Sequence, residues 1–413
     1  MPSSPARRNY TIIAQVCKLI PSHLTAKIAR RHGVDKQART FSPWSHVVSL
    51  LYAQLVHAMS LNDVCDGLKH HAAKLFDIRL ATAPAKNTLS YANRNRAAAM
   101  AEDLFWETYA HLTMNFPRFG GRTFKGMPRR FKRTINVVDS STIQLVHNCI
   151  DWARHRRKKA AAKLHLCLDL QSFLPRFVLV DSARHSDPKK AWQLCASIGK
   201  AEIVVFDKAY VDFGHLFDLC ERGVFWVTRA KEGMQMRCVK RLQKKPQGRI
   251  LRDELVVLKN APTRQKYPKR FRLVHALVEI DGKDHEMTFI TNNLDWAPAS
   301  IVELYRCRWS VEVFFKEIKQ TLQLCDFLGH NQNAILWQIW TALLLYLLLR
   351  FLAFANRWES GFKRLFCRLR SSVWDTFSMA ELLSSCGTAR GAPRHVATAY
   401  QAYLPGFGPC GSS

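Results

Sequence analysis

The segment YRCRWSVEVFFKEIK, residues 305–319, combines a central carboxylate with several cations in a helical pattern. At about 100° per residue, an α-helix would place five of its side chains on one charged face. These are Tyr305, Arg308, Glu312, Lys316 and Lys319. An apolar stripe would lie beside that face, formed by Val311, Phe315, Ile318 and Leu322. The segment therefore predicts a helix that packs one side against a core and presents the other to an anionic group.

The same spacing also suits a solvated helix whose charges pair with one another along its surface. Arg308, Glu312 and Lys316 follow each other at i,i+4 spacing, which is the geometry of surface ion pairs on a helix. Both interpretations stand on the segment alone. The choice between them depends on what the rest of the chain offers.

The charge balance of the whole chain points to a polyanionic partner. Its 413 residues include 62 Lys and Arg against 32 Asp and Glu, for a net charge of +30. Such an excess repels itself in the compact state, and neutralising DNA phosphates releases condensed counterions. Nucleic acid is therefore the first candidate, with a basic protein of no particular partner as the alternative.

The cysteines and the N-terminus predict a cytoplasmic protein, and the expected DNA partner makes it nucleoid-associated. None of the 12 cysteines lies at CxxC spacing and no Cys/His cluster resembles a zinc site, so reduced structural thiols are expected. The first residues, MPSSPARRNYTIIAQ, lack the continuous apolar run of a secretory signal. An apolar stretch at 335–354 is long enough to span a bilayer. Because it contains Gln338, Thr341 and Arg350, we predict a buried core helix there and no membrane association.

The pattern of the chain predicts an all-helical N-terminal domain followed by an α/β domain. Helical periodicity gives way to a basic Gly- and Pro-containing stretch and then to short β-branched runs. The expected units are a helical DNA-binding domain (1–117), a basic linker (118–134), the first part of a catalytic domain (135–228), a basic β-rich insertion (229–297), a catalytic helix with a closing helix (298–360), and a C-terminal segment with a loosely ordered tail (361–413).

Two carboxylates follow apolar runs that have the character of buried strands. Asp139 lies in VVDSS, and Asp207 ends the run Ile-Val-Val-Phe. Ligands of open α/β sheets bind at the carboxyl ends of the strands, and phosphodiester chemistry commonly uses metal ions held by carboxylates. Each Asp alone could equally be a turn former or a helix cap. As a pair, they predict a metal site.

These residues together resemble a known family. Tyr305, Arg308, Glu312 and Lys319 reproduce the Y-x2-R-x3-E-x6-K signature of DDE transposases from bacterial insertion sequences of family four. The segments VVDSS (137–141) and DKAYVDF (207–213) are similar to the motifs of the family's first and second Asp, and TNN (291–293) also resembles the family. Residues 39–95 resemble a helical domain that precedes the catalytic domain in one branch.

The resemblance implies a ribonuclease-H-like catalytic fold with a β-rich insertion between the second Asp and the Glu. It implies that Asp139, Asp207 and Glu312 are the catalytic and metal-binding triad, holding Mg²⁺ with Mn²⁺ able to substitute. Arg308 and Lys319 would hold phosphates near the cleaved end and Tyr305 would help position them. It also implies cut-and-paste strand cleavage and strand transfer on double-stranded DNA, by a homodimer that holds terminal inverted repeats and target.

Further candidate DNA contacts come from basic and aromatic side chains. The run RHRRKKAAAK at 154–163 favours phosphate contact over a solvated loop, and Lys316 joins the charged helix face. The candidates in the run are Arg156, Arg157, Lys158 and Lys159. Trp226 and Trp296 could accept a flipped base, although a core role is the stronger expectation for each.

Three rival functions remain open from the residues. One is a nuclease that cuts DNA without joining it, and another is a non-catalytic DNA-binding protein derived from a transposase. The third is a membrane-associated basic protein that uses residues 335–354. The presence of Asp139, Asp207 and Glu312 together argues against the second.

Overall fold

The computed structural model describes residues 10–34, 36, 38–121, 131–145, 160–182, 187–324 and 327–384. Seven helices come first, and a nine-stranded sheet with flanking helices follows. The first helices are α1 (Ile12–Lys18), α2 (Ser22–Arg31), α3 (Pro43–Val56), α4 (Leu61–His70), α5 (Ala72–Phe76), α6 (Lys86–Asn95) and α7 (Ala99–Asn115). The first strand begins at Ile135.

The strands form one mixed sheet. They are β1 (Ile135–Leu145), β2 (Ala160–Asp169), β3 (Leu174–Ser182), β4 (Ile203–Phe206), β5 (Phe225–Arg229), β6 (Met236–Arg241), β7 (Ile250–Leu258), β8 (Phe271–Ile280) and β9 (Lys283–Thr291), in the spatial order β3-β2-β1-β4-β5-β9-β8-β7-β6. The first three strands are antiparallel neighbours, while β1, β4 and β5 run parallel. This half of the sheet has the ribonuclease-H-like order that the family resemblance implies.

The inserted strands continue the same sheet. β9 pairs antiparallel with β5, and β8, β7 and β6 follow outward as antiparallel neighbours. The β-rich character expected between 229 and 297 is present. The insertion lengthens the catalytic sheet, and its outermost strand, β6, is largely exposed.

Alternate residues of the central strands supply two separate cores. Val137 and Val205 pack with the N-terminal helices on one face of the sheet, while Val138 and Val204 pack on the other. This is the period-two alternation of a strand buried on both faces. The second face is covered by α8 (Asp187–Leu194), α9 (Phe213–Glu221) and α10 (Ala261–Lys266).

The charged segment lies in an interrupted helix, not a uniform one. It runs through α11 (Pro298–Arg306), a 3₁₀ turn (Cys307–Trp309), α12 (Ser310–Lys316) and a π-helical turn (Glu317–Thr321). The predicted apolar stripe is confirmed, since Val311, Phe315, Ile318 and Leu322 are all buried.

The apolar stretch forms α13 (Gln332–Ala355), the longest helix of the described chain. By length and hydropathy it could cross a membrane, but 89% of its most apolar window is buried inside the protein. Helices α3, α6 and α7 pack against it, as does α14 (Phe362–Ser371). It is therefore a core helix, as its polar residues predict, and it joins the N-terminal helices to the sheet. The last described helix is α15 (Met379–Ser384).

Candidate active site

Asp139 and Asp207 lie side by side at one edge of the parallel strands. Val138 of β1 is in register with Phe206 of β4, so the carboxylate that follows each residue stands at the same level. A backbone N–H stabilises each carboxylate, with Ser140 donating to Asp139 at 2.8 Å and Ala209 donating to Asp207 at 3.0 Å. The sheet thus brings the two predicted carboxylates together.

The interrupted helix crosses this edge and contacts both carboxylates. The Tyr305 hydroxyl donates to Asp207 at 3.4 Å, and Arg308 Nη1 lies 2.6 Å from Asp139 Oδ2. Arg308 also reaches Glu312, with Nη2 at 3.7 Å from Oε1. Arg308 therefore lies between a strand carboxylate and the helix carboxylate.

Burial governs the electrostatics of Asp139, whose side chain is only 16% exposed. Burial raises its pKa, the Arg308 charge and the Ser140 N–H lower it, and the charge of Asp207 raises it. The net pKa of Asp139 is above its ordinary value. Two carboxylates so close in a poorly solvated place repel each other, and a bound cation would relieve that repulsion.

Glu312 stands apart from the two aspartates, with its side chain 63% exposed. Among the described residues, no group of three or more His, Cys, Asp or Glu side chains is close enough to hold a metal ion. The donors themselves suit a hard divalent cation, because carboxylate oxygens are the ligands that such ions prefer. The two aspartates thus fit one side of a metal site, and Glu312 is one helical turn from Arg308 on the solvent side.

Lys319 reaches the same strand as Asp139 from further along the helix. Its ammonium donates to the carbonyl oxygen of Thr142 in β1. Burial lowers the pKa of Lys319. Lys316 is exposed to solvent, and Arg156, Arg157, Lys158 and Lys159 lie outside the described residues. The charged face therefore brings Tyr305, Arg308 and Lys319 to the sheet edge but leaves Glu312 and Lys316 toward solvent.

The two tryptophans singled out in the sequence differ in burial. Trp226 is 1% exposed and its ring packs near Tyr267 and Phe271. Trp296 is partly buried and contacts the rings of Phe131 and Phe225. Trp226 therefore has the core position expected of it, and Trp296 packs against the core from its margin.

Sequence reasoning did not single out Arg229. It ends β5, the parallel strand next to β4. Burial raises the pKa of Tyr305, and the Arg229 charge is one of those that oppose the rise. The sequence feature that could have pointed to Arg229 is its position at the carboxyl end of a strand, next to the strand that ends at Asp207.

A buried ion pair that sequence reasoning also missed holds the Lys319 turn to α13. Arg350 Nη2 donates to Glu317 at 2.8 Å, and Arg350 Nε donates to the Tyr346 hydroxyl at 2.8 Å. Tyr346 in turn donates to the Phe173 carbonyl at 3.1 Å. Burial raises the pKa of Glu317 and the Arg350 charge opposes that rise. The π turn therefore depends on α13 for the position of Lys319.

Replacing Arg350 with methionine should destabilise the protein by about 2–3 kcal/mol, because Glu317 would lose its charged partner in a buried site. Denaturant unfolding would measure the change. Lys363→Met, at an exposed cation of α14, is the matched control and should have little effect. Equal unfolding midpoints for the two variants would contradict the prediction.

Comparison with known proteins places these features in a family. Residues 130–348, more than half of the chain, match the transposase DDE domain family, and residues 8–78 match a family described as a domain of unknown function. A protein described as a transposase, y4zB of Sinorhizobium fredii, is 30% identical over 66% of this chain and 73% of its own length. The transposase InsG for insertion sequence element IS4 of Escherichia coli is 28% identical over 45% of this chain and 42% of its own.

Among solved structures, the piggyBac transposase synaptic complex with hairpin DNA aligns with a TM-score of 0.43 and 11% identity. The alignment covers 94% of this chain and 85% of that chain. The strand order and the extent of the family match carry the assignment. The chain belongs to the DDE transposase family, and its function is DNA transposition.

Proposed function

We propose that this enzyme is the transposase of a bacterial insertion sequence, which binds the element's terminal inverted repeats and moves it by cut and paste. The observation that carries the proposal is the cluster of Asp139, Asp207, Tyr305 and Arg308 at one sheet edge. Such a cluster suits phosphodiester chemistry, because two adjacent carboxylates can hold a metal ion and a neighbouring cation can bind a phosphate.

Members of this family depend on divalent metal. We propose that Asp139, Asp207 and Glu312 hold Mg²⁺, with Mn²⁺ able to substitute. Such an ion supplies a nucleophilic water and stabilises the leaving oxygen. For Glu312 to join the aspartates, its exposed side chain must turn from solvent toward Asp139.

The charge and position of Arg308 suit a phosphate. Its Nη1 and Nη2 contact Asp139 and Glu312. A phosphate oxygen is a strong acceptor for a guanidinium. We assign Arg308 to the phosphate at the cleaved position, with Lys319 and Tyr305 beside it.

Basic surfaces extend the site along DNA. The exposed edge strand β6 carries Arg237, Lys240 and Arg241. With the N-terminal helices and the basic run at 154–159, this strand would follow the phosphates of the terminal repeats. A homodimer would hold two ends at once, in the cytoplasm at the nucleoid, with target DNA as the last substrate and no membrane involved.

The proposal is tested with purified enzyme, Mg²⁺ and duplexes that carry the inverted repeats flanking its own gene. We expect nicking that leaves a 3′-hydroxyl, and pre-cleaved ends should join to a target plasmid. Gel separation of labelled strands would show both products. Cutting without joining would identify a nuclease, and binding without metal-dependent nicking would identify a non-catalytic DNA-binding protein.

A further inference from the structure

Helix α6 displays an exposed polar face with no carboxylate in it. Its sequence, KNTLSYANRN, contains no Asp or Glu. Its buried side consists of Leu89, Ala92 and Asn93. The opposite side exposes Lys86, Asn87, Tyr91, Arg94 and Asn95. A helix with this pattern packs firmly on one side and offers cations, amides and a phenol on the other.

The exposed side chains are available for a partner. Within the described part of the chain, the side chains of Asn87, Tyr91 and Arg94 have no hydrogen-bond or ion-pair partner. Tyr91 is 58% exposed, which is unusual for so large an aromatic side chain. Tyr91 also borders an open groove, of about 370 Å³, whose lining includes Arg39 and Thr40.

Hydrogen bonds from neighbouring helices hold the buried side of α6 in place. The Asn93 amide oxygen lies 2.7 Å from His46 Nε2, and Asn333 Nδ2 donates to the carbonyls of Asn93 and Arg96 at 2.9 Å and 2.6 Å. Trp337 Nε1 donates to the Arg96 carbonyl at 2.7 Å. Asn333 and Trp337 belong to α13, the same helix whose Arg350 binds the Glu317 turn. One helix thus fixes both α6 and the Lys319 turn of the candidate active site.

Resting on the proposed function, we infer that the exposed face of α6 enters the major groove of the terminal repeat and reads its bases through Asn87, Tyr91 and Arg94. An α-helix fits the major groove, where arginine recognises guanine and asparagine recognises adenine by paired hydrogen bonds. The chain's positive charge attracts any DNA. The unpaired amide and guanidinium groups on a rigid helix would distinguish one base sequence from another. Because α13 also holds the turn that carries Lys319, the bases read would lie at a fixed distance from that lysine.

Arg94→Ala and Asn87→Ala in the full chain test this inference. The probes are duplexes with the gene-flanking terminal sequences and scrambled duplexes of equal composition. Each variant should lose on the order of tenfold or more in affinity for the terminal duplex, with little change for the scrambled one. Single base-pair substitutions should show that Arg94→Ala no longer discriminates at one position.

Lys363→Ala is the control, because it removes one exposed positive charge outside α6. It should weaken binding to both duplexes equally. The inference is overturned if both α6 variants keep the wild-type ratio of terminal to scrambled affinity, or if Lys363→Ala changes that ratio as much as they do. If the wild-type enzyme selects and nicks its ends while both variants do so equally well, only this inference fails. A wild-type enzyme without any preference for the ends defeats the proposed function as well.

Discussion

Replacing Glu312 with glutamine should reduce strand nicking and strand transfer at least about a thousandfold, since a metal ion contributes several kcal/mol of transition-state stabilisation. The change keeps the size of the side chain and removes the charge that we propose completes the metal site. Because the Glu312 side chain is 63% exposed, the fold should not depend on it. Single-turnover cleavage of labelled terminal duplexes, with Mg²⁺ or Mn²⁺ present, would measure the loss.

Glu279→Gln is a suitable control, because it removes one exposed carboxylate from β8 in the insertion. It should nick at the wild-type rate. Both variants should bind the terminal duplex as tightly as the wild type and unfold at the same denaturant concentration. Nicking by Glu312→Gln at more than a tenth of the wild-type rate would show that the carboxylate has been wrongly assigned.

The local part of the site was accessible from the sequence. Asp139 and Asp207 each follow a short apolar run, and two such runs in parallel strands must end at the same sheet edge. Tyr305 and Arg308 both contact those carboxylates, which agrees with the helical spacing, because residues three apart lie on the same face of a helix. That Glu312 does not group with the two aspartates was not predictable, since the 3₁₀ turn before α12 changes the phase of a uniform helix.

The non-local part of the fold was less accessible. Strand character at 229–297 could be recognised, but its addition to the catalytic sheet depends on β9 pairing with β5, across some sixty residues of chain. The excess of lysine and arginine in this region predicted a DNA surface. A count of charges cannot separate the exposed Arg237 and Lys240 from Arg272, which is buried.

Arg272 joins the insertion to the start of the charged helix. Its Nε and Nη2 each donate to Asp253 of β7 at 2.7 Å, and both side chains are only 5% exposed. Its Nη1 donates to the carbonyls of Leu294 and Trp296, in the loop that leads into α11. The inserted strands thus hold the segment from which the helix of Tyr305, Arg308 and Glu312 begins.

Arg272→Met should therefore destabilise the enzyme by about 3–5 kcal/mol, because it leaves the Asp253 charge buried without its partner. Arg249→Met is the matched control. It breaks a pair with Asp284 whose side chains are 52% and 49% exposed, and should cost below about 1 kcal/mol. A second change, Asp253→Leu, in the Arg272→Met background should recover part of the loss, since an apolar pair needs no compensating charge. Equal denaturation midpoints for Arg272→Met and Arg249→Met would mean that this pair does not hold the insertion to the helix.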